Sequence, residues 1–172
     1  MKALLASIAL LAAPADAQTR CITTPEAEAM TLVALPDIIQ QTGIICATRL
    51  PATSLIRRTD SEFLAKYQAA AERAWPNARE AIVKLSDPMI DSLLQSDFAR
   101  PLLTAALAPV LVGRINPADC GTIDRFVTQL APLPPANTAG VIVTTLRYFK
   151  AEKAKGKAIA VPDLPLCPEG PR

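Results

Sequence analysis

The sequence predicts an all-α domain: a disulfide-stapled bundle of about six to seven short helices, several of them broken by proline. Three observations carry this reading. Apolar residues recur at helical spacing through most of the chain, bounded by capping residues and prolines. No stretch longer than three or four residues alternates as a half-buried strand does. Four cysteines follow a secretory-type start, which reads as two bridges formed in an oxidising compartment. The composition is 51% hydrophobic but only 4% aromatic, so the core must be made of Ala, Leu, Ile and Val, and small side chains favour close helix packing.

Residues 1–17 carry the secretory features. Met1 and Lys2 precede the apolar run ALLASIALLAA, and Ala15-Asp16-Ala17 supplies the small-residue cleavage pattern, with the mature chain expected from Gln18. The run is too short for a membrane span. Thr19 and Arg20 before Cys21 are not the small or aliphatic residues that a lipid-attachment cysteine needs. The expectation is therefore a cleaved, periplasmic or secreted protein, not a lipoprotein, with residues 18–172 forming one helical domain.

Within that domain, Thr23 or Thr24 is placed to cap a helix with Pro25 and Glu26 in its first turn. Leu35-Pro36 is expected to interrupt it, and a second short helix to reach Cys46. Thr59 and Glu62 have capping-box spacing ahead of Phe63, Leu64, Tyr67, Ala70, Ala71 and Ala74, a helix expected to bend or end at Trp75-Pro76. Ile82, Val83 and Leu85 continue beyond it, and Asp87-Pro88 opens another short helix. The run PLLTAALAPVLVG is apolar on nearly every side, predicting the central helix, with Leu107 in the core and a kink at Pro109.

The last third predicts a helical pair. Asn116 caps a helix starting at Pro117, with Ile123, Phe126, Val127 and Leu130 on one face, and prolines 132, 134 and 135 end it. A final helix from about Asn137 to Lys155 shows Ile142, Leu146 and Phe149 as its apolar line, with Gly156 to terminate it. From about residue 157 a Pro-rich tail is expected to be tied back by a disulfide. If each helical pair is a closed hairpin, the bridges are Cys21–Cys46 and Cys120–Cys167. Spacing alone allows three connectivities.

The chemistry is mostly exclusion. With no histidine there is no Ser-His-Asp triad, Cys-His dyad or histidine metal site. Cysteines at least 25 positions apart do not form a zinc motif. No nucleotide or nucleophile motif is present, so no cofactor and no metal is expected. A net charge of +2 gives no reason to expect a nucleic-acid partner. Paired carboxylates remain: Asp60 with Glu62, Asp87 with Asp91, and Asp119 with Asp124. Nearly all sit at helix starts, where they serve backbone N–H groups and the dipole without catalysis.

Candidate binding residues are few. Arg57-Arg58 suits an anionic group, or else pairs with Asp60 or Glu62. Trp75 offers the best aromatic surface, or else anchors the helix bend. Lys150 and Lys153 extend the line of Leu146 into a cationic helix end, suited to an anionic membrane surface or simply to the helix dipole. The expected function is an exported helical binding protein without catalytic machinery, its partner a protein or an apolar ligand. A carboxylate-based hydrolase and a structural envelope protein are the alternatives.

Overall fold

The computed structural model describes residues 20–86, 92–96 and 98–168, with the side chains of 106–111 excepted. The expected leader (1–17), the Asp87-Pro88 helix start and the burial of Leu107 lie outside the described residues, while the helix Ala99–Val112 runs on through Pro109. Among the described residues the chain is helical and has no strand, in agreement with the all-α expectation. Its α-helices are α1 (Thr24–Ile45), α2 (Glu62–Leu85), α3 (Ala99–Val112), α4 (Cys120–Leu130) and α5 (Pro135–Ala154). Two 3-10 turns, Leu55–Arg57 and Pro117–Asp119, precede α2 and α4.

Local sequence explains most of the boundaries. Thr23 and Glu26 form a full capping box: the Glu26 carboxylate accepts from the Thr23 N–H at 2.6 Å, and Thr23 Oγ1 accepts from the Glu26 N–H. Ser61, not Thr59, caps α2, its Oγ accepting from the Leu64 N–H. Asn116 accepts from the Ala118 N–H and starts the turn at Pro117. Gly156 adopts φ +90° just beyond α5, the left-handed conformation that ends helices at little cost only for glycine.

Two prolines do not break their helices. α1 runs through Pro36 and α2 through Pro76, so the elements are longer than the punctuation predicts. A proline inside a helix costs about 3 kcal/mol, whereas burying one large aliphatic side chain returns about 1.5–3 kcal/mol. Val33, Leu35 and Ile39 around Pro36, all buried in α1, are enough to offset the defect.

The central helix is α1, which packs against α2, α3, α5 and the Leu55–Arg57 turn. That corrects the expectation for α3, where Leu102 is 68% exposed and Ala99 and Val112 are the buried residues among those described. The α1–α2 seam is lined by Ala29, Val33, Ala74 and Ala78, small side chains that bring the two axes together. Ala139 and Val143, not Ile142 and Phe149, are the buried apolar residues of α5. The helix is thus rotated to put small residues against its neighbours. Phe126, at the edge of its predicted face, is 61% exposed, while Ile123 and Val127 pack on the core.

The bridges are Cys21–Cys167 and Cys46–Cys120, with Cα–Cα distances of 4.9 and 5.6 Å, which corrects the hairpin pairing. Because α1 is unbroken, its 22 residues at about 1.5 Å each hold Cys21 and Cys46 roughly 33 Å apart, far beyond disulfide reach. Cys46 and Cys120 are both fully buried and staple α4 to the end of α1. Cys21–Cys167 ties the tail back, as expected of that tail, but to the start of α1. There Ile22 donates to Pro165 O and accepts from the Cys167 N–H, each at 2.8 Å.

The two bridges point to an oxidising, non-cytoplasmic location. Among the described residues no helix is long and apolar enough to cross a membrane.

Candidate binding cavity

Side chains from α1, α2, α4 and α5 converge on a cavity of about 280 Å³. Leu35, Ile38 and Ile39 form the α1 wall, Phe63 and Tyr67 the α2 wall, and Ile123, Val127 and Leu130 the α4 wall. Ile56, Ile115 and Ile142 complete it. All but Ile115, which lies in the connection before Pro117, come from helical segments. The large aliphatics of α1 and α4 face the cavity, whereas the α1–α2 seam is lined by small side chains.

Polar atoms in this lining are few and already engaged. Tyr67 Oη and Thr138 Oγ1 lie 3.0 Å apart in the core and bond each other. Thr42 donates its hydroxyl to Ile38 O at 2.6 Å. The Tyr67 ring is set edge-on against Phe63, with centroids 5.1 Å apart and planes at 71°, a favoured aromatic geometry. Titratable chemistry is confined to the bonded Tyr67 hydroxyl. An apolar lining of this kind favours hydrocarbon over water.

The α4 wall is fastened at both ends. Cys46–Cys120 fixes its start, and Ser54, itself buried, donates to Asp124 at 2.5 Å. At the far end the Lys66 ammonium donates to the carbonyls of Ala131 and Leu133, the latter at 3.0 Å. The same ammonium lies 5.5 Å from the Phe63 ring centroid and 5.2 Å from that of Tyr67.

None of the sequence-predicted binding residues lines this cavity. Arg57 donates to Leu50 O at 2.6 Å and secures the turn that carries Ile56. Arg58 is exposed, and among the described residues neither arginine pairs with Asp60 or Glu62. Trp75 is half-buried against the α1–α2 seam, in a helix that continues past it. Lys150 is turned to the tail, donating to Leu164 O and pairing with Asp163 at 3.4 Å. Lys153 is exposed. Lys155 and Lys157 both pair with the buried Glu152. The cationic helix end is therefore largely neutralised within the chain.

Of the carboxylate pairs, Asp124 is bonded to Ser54, Glu62 opens α2, and Asp87 with Asp91 lies outside the described residues. A pairing not anticipated from sequence is Asp37 with Glu72, which share a polar cleft of about 350 Å³ with Gln40, Gln68, Arg100 and Thr104. Glu72 forms an ion pair with Arg100. No group of His, Cys, Asp and Glu among the described residues is arranged to hold a metal ion.

Comparisons with protein-family models, with curated proteins and with solved structures find no match for this chain.

Proposed function

We propose that this chain is an exported, non-catalytic binding protein whose cavity takes up one slender apolar ligand, such as a single alkyl chain. The observation that carries the reading is the lining: aliphatic and aromatic side chains from four helices, with the hydroxyls among them satisfied by each other or by backbone. At about 280 Å³ the cavity falls just below the roughly 300–1,000 Å³ of small-molecule sites. Export, with cleavage after residue 17 and residence in the periplasm or outside the cell, is supported by the leader-like start and by two disulfides.

Calorimetric titration with decanol tests uptake. The expected result is saturable one-to-one binding with a negative heat-capacity change, the marker of apolar burial. Ile142 lines the cavity yet is 37% exposed, so Ile142→Trp should fill the mouth without disturbing the fold. Unchanged decanol binding by that variant would move the ligand elsewhere.

Carboxylate hydrolysis keeps one observation in its favour, the shared cleft of Asp37 and Glu72. Against it, the Arg100 ion pair engages Glu72, and Gln40, Gln68 and Thr104 supply no acid or base. Acid–base hydrolysis needs two carboxyl groups free for separate roles.

A further inference from the structure

We infer that the ligand of the cavity carries a carboxylate head and that Lys66 receives it. The inference rests on the cavity being the ligand site and adds the chemical class of what enters it.

The lining is apolar and Lys66 is not part of it, but the Lys66 ammonium stands beside two rings that are. Lys66 lies beside Phe63, Tyr67 and the turn following Leu130, and those three residues are part of the lining. An ammonium has three donors and no acceptor. Two are spent on the carbonyls of Ala131 and Leu133. Among the described residues no carboxylate pairs with it. Carbonyl oxygens and ring faces orient a cation but bring no opposite charge, so a partly buried ammonium with a donor to spare is matched by one anionic oxygen.

Chain length follows from volume. Liquid water occupies about 30 Å³ per molecule and a methylene is of similar size, so about 280 Å³ accommodates roughly eight to ten carbons. The occupant is a medium-chain alkyl carboxylate, either a free fatty acid or an acyl chain ending in another carboxylate-bearing group. Its tail lies among Ile39, Ile123 and Val127, and its head lies at Lys66.

The oxidised chain is titrated at low ionic strength with decanoate, decanol and decylammonium. Decanoate should bind more tightly than decanol by about tenfold or more, the worth of one charge-assisted hydrogen bond, and decylammonium most weakly. Lys66→Gln should bring decanoate down to the affinity of decanol, and Lys66→Arg should retain the preference. Because Lys66→Gln also loosens the 131–133 turn, the three-ligand series on the unaltered protein stands as a test without it. Equal affinities for the three head groups would overturn the assignment of Lys66 while leaving the apolar cavity as the site. No binding of any of the three would overturn both. An N-acyl amino acid binding as tightly as decanoate would support the inference and make the acyl carboxylate the source.

Discussion

A side chain at Gly43 would collide with Ile56: a Cβ placed there lies 2.0 Å from the Ile56 carbonyl oxygen and 2.9 Å from its carbonyl carbon. The Leu55–Arg57 turn therefore rests directly on the α1 backbone, and the glycine is what lets Ile56 reach the cavity. The obstructing atoms are backbone, so relief requires moving the turn. Gly43→Ala should cost about 1–3 kcal/mol as an overpacking change, read as a lower midpoint in urea, and should weaken ligand uptake because Ile56 is displaced. Gly121 is the control: it is helical, and a Cβ there would meet nothing within 4 Å, so Gly121→Ala should be neutral or stabilising by up to about 1 kcal/mol. Equal effects at the two positions would show that the turn does not pack on α1 in this way.

Non-reducing peptide mapping should return Cys21 joined to Cys167 and Cys46 joined to Cys120. Each bridge closes a long loop, with sequence separations of 146 and 74, so removing either cysteine pair should cost about 2–5 kcal/mol. The two losses differ in consequence. Without Cys46–Cys120 the α4 wall loses its anchor and uptake should fall, whereas without Cys21–Cys167 the tail frays and the cavity persists. Recovery of a Cys21–Cys46 peptide would refute the unbroken α1.

Caps and terminators are legible in the sequence because they are local: Thr23 with Glu26, Asn116 with Pro117, and Gly156 each act within a turn or two of themselves. Pro36 misleads because its local cost is outweighed by burial that only the folded chain supplies. The pairing error descends from the same point, since a break at Pro36 is what would return Cys46 to Cys21. For α5, Ile142, Leu146 and Phe149 make the stronger apolar line by side-chain size, yet Ala139 and Val143 are buried, as close approach favours small residues. The cavity has no sequence signature at all. Its lining comes from segments spread between Leu35 and Ile142, and the lysine beside it stands in the second turn of α2 like any solvated one.

The Tyr67–Thr138 bond joins α2 to α5 inside the core, with Tyr67 2% and Thr138 4% exposed. Truncating one partner strands the other: Tyr67→Phe or Thr138→Val should each cost about 1–3 kcal/mol. The double variant leaves no stranded hydroxyl and should cost much less than the sum. It also removes the paired hydroxyls from the cavity wall, so decanol affinity should hold or rise. Additive losses would mean that the two hydroxyls do not bond.

Acid should act on the protein at two glutamates. At Glu26 the Thr23 backbone N–H leads in holding the carboxyl below the usual 4.5, with Lys84 contributing. At Glu152 hydrogen bonds from Lys155 and Lys157 do the same. A carboxyl whose folded-state value is depressed binds its proton more readily in the unfolded chain. Its stabilisation is therefore complete above the unfolded value and is lost as pH falls through the lower, folded one. Lys155 is raised above 10.5 by the same Glu152 contact, so its share is complete below the unfolded value and lost as pH rises through the folded one. Between those limits stability should vary little with pH on account of these groups, and below about pH 4.5 it should fall steadily. Glu152→Gln removes the carboxylate from both arms: its stability should be lower than that of the parent at neutral pH and should converge on it in acid. Glu26→Gln should flatten only the acid arm, because the alkaline loss belongs to the Glu152–Lys155 contact. Urea midpoints measured from pH 3 to pH 11 on the three proteins check this, and parallel curves displaced by a constant amount would show that neither carboxylate is held below its ordinary value.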